Sequence, residues 1–233
     1  MTENGFDFAV GPEVSGWTAR PLPPRRAIEG RFARVEPLDP KHHRADLWRA
    51  FSADRAGNGW TYFTYGPFAD AAVFSTWLEQ VARPDDPLFH TVIDARTGIA
   101  LGMASYLRID PANGVIEVGH LHFSPALQRT AVATDAMYLM MARAFDELGY
   151  RRYEWKCNDL NLPSREAAQR LGFTFEGVFR QAQVVKDRNR DTAWFSVLDR
   201  EWPTLKAAFL RWLDPANFDA AGRQRLSLAA LRG

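Results

Sequence analysis

Between residues 89 and 156 the chain has few ways to fold. Three strand-like runs, at 89–94, 100–109 and 115–123, are separated by Ala95-Arg-Thr-Gly98 and Asp110-Pro-Ala-Asn-Gly114. Both separators are turn-forming and too short for a crossover, so the three runs form an antiparallel meander. The next segment, 131–148, places Met137, Leu139, Met140, Met141, Ala144, Phe145 and Leu148 at helical spacing, and Gly149 stops it. A further strand follows at 152–156. A strand, a helix and a returning strand form the unit whose two strands run parallel. The expected fold class is therefore α+β, built on a mixed sheet in which 115–123 and 152–156 are the parallel pair.

The flanks extend this sheet. Residues 31–37 read as a strand, and Asp39-Pro40 as the start of a helix carrying Leu47, Trp48 and Phe51. Asp70 caps a second helix through Phe74, Trp77, Leu78 and Val81. Pro163 opens a helix ending at Leu171, with Gly172 just past its end. Strands at 175–186 and 192–198 flank a turn at 187–190, which makes about seven strands in all. Residues 1–30, broken by Pro12, Pro21, Pro23 and Pro24, read as an arm with Trp17 lying on the globule. Residues 31–200 form the domain, and 201–233 an amphipathic helical tail. Trp212 and Phe218 look exposed in that tail, which leaves two uses for it: covering the sheet, or packing on a second subunit in a homodimer.

Composition excludes several classes. Lys and Arg number 29 and Asp and Glu 28, a formal net charge of +1. That balance argues against nucleic acid and against a polybasic membrane surface as partners. Cys157 is the single cysteine, so there is no internal disulfide and no cysteine-rich metal site. Residues 1–16 carry Glu3, Asp7 and Glu13 with no apolar run, unlike a signal peptide. No stretch approaches the ~20 apolar residues of a membrane span. A cytoplasmic setting is expected.

Three stretches carry chemistry. In the first, strand 115–123 runs into Gln128-Arg-Thr-Ala-Val-Ala-Thr134 at the start of the long helix. Unpaired N–H groups at a helix start, aided by the helix dipole, cradle phosphates, and small side chains at 131 and 133 let them approach. Arg129 adds a charge suited to phosphate. In the second, Asn161-Leu-Pro-Ser164 opens the helix ending at Gly172-Phe173. The third is the aromatic loop containing Trp60, Tyr62, Tyr65 and Phe68.

The order of elements and the first two stretches resemble the GNAT acetyltransferase superfamily, specifically its Rim-type branch, over roughly residues 30–200. The loop pattern Gln/Arg-x-x-Gly-x-Gly/Ala falls on Gln128, Ala131 and Ala133, with alanine at 131 where the family usually has glycine. Asn161, Ser164, Gly172 and Phe173 match a second family spacing. The resemblance implies a mixed sheet whose central parallel strands splay apart, flanked by helices. It implies acetyl-CoA as co-substrate, held by Phe123, Gln128, Arg129, Thr130, Ala131, Val132, Ala133, Thr134, Asn161 and Ser164. The activity it implies is acetyl transfer to a primary amine, on a small molecule or a peptide N-terminus, by direct attack in a ternary complex. A coenzyme A sensor without turnover is the alternative on the same fold.

The resemblance further implies Ser164 as the acid for the leaving thiolate, since the tyrosine many relatives place seven residues after the Asn is Ala168 here. It implies Glu117 as general base, the other reading of Glu117 being a cross-strand pair with Arg108, and an acceptor site lined by Trp60, Tyr62, Tyr65, Phe68 and His120. Regular alternation puts Glu117 on one face of its strand and His120 and His122 on the other, so either set can face the cleft but not both readily. The His120-x-His122 pair has ligand-type residues but no persuasive third ligand, so no metal is expected. His120 is kept as a second candidate for the base.

Overall fold

The computed structural model describes residues 8–233, so the first seven residues of the expected arm lie outside the described residues. Eight strands form one sheet in the order β1-β2-β3-β4-β5-β6-β8-β7. These are β1 (Ile28–Glu29), β2 (Ala33–Pro37), β3 (Leu88–Asp94), β4 (Ala100–Asp110), β5 (Val115–Phe123), β6 (Arg152–Asn158), β7 (Thr174–Val185) and β8 (Arg188–Leu198). The strand beyond the seven expected is β1, where Ile28 and Glu29 pair with Val35 and Arg34. All neighbours are antiparallel except β5 and β6, which run parallel. The last hairpin is tighter than expected. Lys186 and Asp187 both take positive φ, of 48° and 58°, as a two-residue turn requires, and β8 starts at Arg188.

The helices start where local chemistry provides caps. Asp39 accepts from Lys41 N–H ahead of α1 (Pro40–Ser52), and Asp70 from Ala72 and Val73 ahead of α2 (Ala71–Val81). α3 (Ala131–Ala142) passes into a single π-helical turn, Arg143–Glu147, so the expected long helix is regular only over its first twelve residues. α4 (Leu162–Arg170), α5 (Trp202–Trp212) and α6 (Leu228–Arg232) follow.

The two faces of the sheet are covered unequally, and this positions the site. On one face Ala104, Tyr106, Ile116, Val118, Tyr153, Phe195 and Val197 pack under α3 and the tail in a continuous apolar core. Trp212 belongs to that core and is buried, which corrects its expected exposure; its indole N–H donates to Gln224 Oε1 at 2.7 Å. The tail thus covers α3 and the sheet. On the other face α1 and α2 bury Leu47, Phe51, Phe74 and Leu78 against Phe89, Ile93 and Met103, which lie on β3 and β4. Beyond β4 that face carries charged side chains in place of an apolar layer.

The arm lies across the molecule. Trp17 Nε1 donates to Ala112 O and Tyr150 Oη to Pro21 O, and the buried Arg143 donates to Arg26 O and Ala27 O. Asp135 of α3 accepts from Phe32 and Ala33 N–H at 2.7 and 3.0 Å, tying the central helix to β2. Replacing it by alanine leaves buried N–H groups unpaired. Asp135→Ala is expected to lower stability by about 3 kcal/mol, read as a lower urea midpoint at unchanged slope, with Asp135→Asn losing less.

Candidate active site

Parallel pairing between β5 and β6 stops early. Val115 to Val118 pair with Arg152 to Trp155, and beyond that β6 pairs with β8 alone. The cause lies on the other side of β5. Gly119 faces Ser105 and His122 faces Met103, so three steps on β5 match two on β4. This bulge centres on His120, whose φ is +49°. It bends β5 away from β6 and opens a wedge-shaped gap.

The bulge also changes which side chains share a face. Ile116 and Val118 enter the α3 core, and past the bulge Leu121 and Phe123 pack against it. Glu117, His120 and His122 therefore all reach the opposite face. The expected choice between Glu117 and the histidines does not arise, because alternation is broken between them.

Glu117 is buried, and its Oε2 receives Arg108 Nη1 at 2.6 Å and Lys156 Nζ at 2.8 Å. Lys156 also reaches Glu154 at 2.7 Å and lies over the Trp194 ring at 3.8 Å. Arg152 joins Glu154 to Glu176, whose carboxyl the guanidinium holds down at about 2. The residue expected as a free base is thus the centre of a buried ion-pair network, tied down by two cations.

The histidines are engaged one by one. His120 Nδ1 lies 2.7 Å from Tyr65 Oη, with the rings stacked at 19°. His122 stacks on Trp60 with centroids 3.6 Å apart and meets Phe51 edge-on. Gly59 makes room for it, since a Cβ there would lie 2.8 Å from the imidazole. Burial, assisted by Arg108 and Arg190, lowers the His120 pKa to about 4, and burial lowers His122 to about 4. Both rings are neutral at neutral pH. The Tyr65 phenol is pushed up by burial and stays protonated.

Of the expected acceptor residues, Tyr65 and His120 meet directly. Trp60 is a buried wedge meeting Phe63, Phe68 and Trp77 edge to face. Tyr62 spans from the aromatic loop to Leu160 O, at 3.1 Å, on the segment joining β6 and α4. Lys186, at the tip of the β7–β8 hairpin, donates to Trp60 O and Gly66 O at 2.9 and 2.8 Å.

The other expected set lies at the starts of α3 and α4. Gln128 Nε2 donates to Phe123 O, fastening the loop to the end of β5. Arg129 has φ of +61°, which turns successive N–H groups toward one side. Thr130 caps α3 by accepting from Ala133 N–H at 3.1 Å, and Thr134 N–H bonds Thr130 O. Among the described residues the N–H groups of Arg129, Thr130, Ala131 and Val132 have no partner. The open donors are therefore 129–132, with Ala133 and Thr134 already bonded. At α4, Asn161 Oδ1 accepts from Ser164 N–H, and Ser164 Oγ accepts from Trp155 Nε1 at 3.0 Å. Burial raises the pKa of the neighbouring Cys157 thiol. Ala168 is wholly buried in the core, with no room for a tyrosine.

The cross-strand pairing of Glu117 with Arg108 was one of the two expected readings, whereas Lys156, Arg190, Trp194 and Lys186 escaped the sequence reading. The alternating charges Arg152, Glu154 and Lys156 on a strand were the available signal. A groove of about 850 Å³ between α1 and α2 includes none of these residues. No helix among the described residues is long and apolar enough to cross a membrane.

The sheet thus opens where β5 leaves its parallel partner, beside a helix start whose first N–H groups are free. The Acetyltransferase (GNAT) domain family matches residues 34–174, and the chain belongs to that family as an N-acetyltransferase. A crystal structure of a GCN5-related N-acetyltransferase from Brucella melitensis superposes with a TM-score of 0.91 at 51% identity, covering 93% of this chain and 98% of that one. An uncharacterized N-acetyltransferase, p20, of Bacillus licheniformis is 28% identical over 60% of this chain and 80% of its own. The ribosomal-protein-serine acetyltransferase of Escherichia coli (strain K12) is 29% identical over 39% of this chain and 50% of its own, in keeping with the Rim-type branch. Nothing in these likenesses favours a sensor without turnover.

Burial gives a pH prediction. His120 and His122 titrate near 4 in the folded chain, and His90, buried beside Arg143, near 3. Unfolded histidine titrates near ~6.5, so below that pH the unfolded chain takes up protons first. These rings favour folding fully above pH 6.5, and their contribution is lost as pH falls toward 4. The melting temperature is expected to hold from pH 8 to 7 and drop between 6.5 and 5. His122→Gln should make that slope shallower by about a third.

Proposed function

We propose that acetyl-CoA is the donor, held at the 129–132 N–H groups and along the Asn161 to Ser164 turn. The acetyl group lies in the gap where β5 leaves β6, and the acceptor amine enters from the face of His120 and Tyr65. The observation that carries this reading is the placement of the gap directly at the end of β5 that leads into the unpaired start of α3. A helix start with free N–H groups suits a pyrophosphate. The residues fit the group: small side chains at 131 and 133 line the approach, and the Asn161 side-chain NH2 has no protein partner among the described residues.

The thioester supplies an activated acetyl group. The chain's own groups position it and handle protons. The bulge at His120 leaves β5 without a β6 partner past Val118, and backbone N–H groups of that stretch meet the carbonyl oxygen as it gains charge. In the tautomer whose Nδ1–H donates to Tyr65 Oη, His120 presents a neutral Nε2. That nitrogen takes the proton the amine sheds as its C–N bond forms and passes it to water. Ser164 protonates the thiolate as the C–S bond breaks. Glu117 serves by fixing Lys156 and Arg108. The acceptor is a primary amine, and a cytoplasmic setting would suit a donor of this kind.

Two measurements test this. Ala131→Glu places an acid in the first turn of α3, which favours the helix. It is expected to leave the melting temperature unchanged or slightly raised while weakening coenzyme A binding by calorimetry more than about tenfold. Equal affinity would remove the cradle. His120→Asn is expected to lower kcat by about a hundredfold. Glu117→Gln should lower stability and keep the pH profile of kcat. A profile that vanishes with Glu117→Gln and persists with His120→Asn would return the base to Glu117.

A further inference from the structure

On the uncovered face of the sheet, three successive same-face residues of β8 carry polar atoms that are buried and have no hydrogen-bond partner. They are Arg190 Nε, Thr192 Oγ1 and Trp194 Nε1. Period-2 alternation lines them up along one strand. Their face is the cleft face, because Trp194 lies under the Lys156 ammonium and Lys156 bonds Glu117.

The charges around them do not balance. Glu117 is shared by Arg108 and Lys156, Glu154 by Lys156 and Arg152, and Glu176 is bonded by Arg152. Three carboxylates therefore answer Arg108, Lys156 and Arg152. Arg190 remains with no ion pair among the described residues, half-buried on the same face. Burial disfavours its charge, the Arg108 charge adds to that and Glu117 offsets only part, and Arg190 lies near enough to His120 to depress that ring. A half-desolvated guanidinium beside two unpaired donors is costly unless a bound anion completes it.

We propose that Arg190, Thr192 and Trp194 receive an anionic oxygen group, a carboxylate or a phosphate, carried by the acceptor, so that the substrate is a primary amine bearing a negative charge near its nitrogen. This rests on the acetyl-transfer reading above. Arg190 offers a planar pair of donors matched to two oxygens, and Trp194 Nε1 and Thr192 Oγ1 add one each. The aromatic loop opposite, with Tyr65 and His120, takes the amine end. Arg190 is thus a specificity-determining residue, and it lies on the far face of the sheet from the α3 cradle.

Calorimetry on protein loaded with coenzyme A tests this with three product-like probes: N-acetyl-L-phenylalanine, its phosphonate analogue and its uncharged amide. One or both anions are expected to bind at least about tenfold more tightly than the amide, and whichever binds tighter identifies the group. Arg190→Gln should bring the anions to within about twofold of the amide, with coenzyme A affinity unchanged, and Arg190→Lys should restore part of the gap. Trp194→Phe, which keeps the ring over Lys156, should reduce the gap even where Arg190→Gln fails to fold. Equal binding of amide and anions, a gap that survives Arg190→Gln, no binding of any probe, or a loss of coenzyme A affinity on changing Arg190 overturns the proposal. Failure of the unaltered protein to bind coenzyme A overturns the acetyl-transfer reading first, and is told apart by the loading step itself.

Discussion

One extra residue in β5 governs the molecule. A strand in the middle of a sheet satisfies its backbone on both sides, and β5 does so only as far as Val118. At His120 the register with β4 slips, the strand turns outward, and its parallel partner cannot follow. The backbone strain of a histidine at positive φ is borne here because its surroundings hold it, with Tyr65 on Nδ1 and Phe89 against the ring. The same slip opens the sheet and delivers Glu117, His120 and His122 to one side.

That side is a place of unequal desolvation. Hydrophobic helices cover β3 and β4, while β5, β6 and β8 present ions over the same surface. Buried carboxylates persist there because ammonium and guanidinium groups neutralise them almost atom for atom. Such a network contributes little net stability, yet breaking it is costly, so it fixes side chains in place. The nearby imidazoles remain neutral because no carboxylate reaches them closely enough to offset burial. A fixed floor of charge and an uncharged ring beside it are suited to a reaction in which an amine must arrive and lose a proton.

Regular elements were legible in the sequence and irregular ones were not. The meander, the caps Asp39 and Asp70 and the parallel unit follow from periodicity and turn residues, which act over a few positions. The helix-start loop and Asn161 to Ser164 were legible because their spacing matches a known family. The bulge at His120 left no trace, as its residues, Gly119-His-Leu-His122, are ordinary for a strand. Its effect on Glu117 was invisible with it. The Arg108 partner of Glu117 was legible because a short turn sets β4 beside β5, but Lys156 was not: it acts across the parallel pair, whose register no turn fixes. Trp212 looked exposed because its cover, Gln224 and the turn around Asn217, lies after it in a polar stretch.

The hairpin of β7 and β8 carries one more implication. The match to the family model ends at residue 174, where β7 is only beginning. Yet β6 owes its second neighbour to β8, and Lys186 reaches back to carbonyls 126 and 120 positions earlier. The stretch matched by the family model is thus smaller than the unit that can stand alone. A polypeptide trimmed to that match would leave the central strand with an open edge and the aromatic loop without its brace, and synthesis must run nearly to the tail before the hollow beside β5 has all its walls.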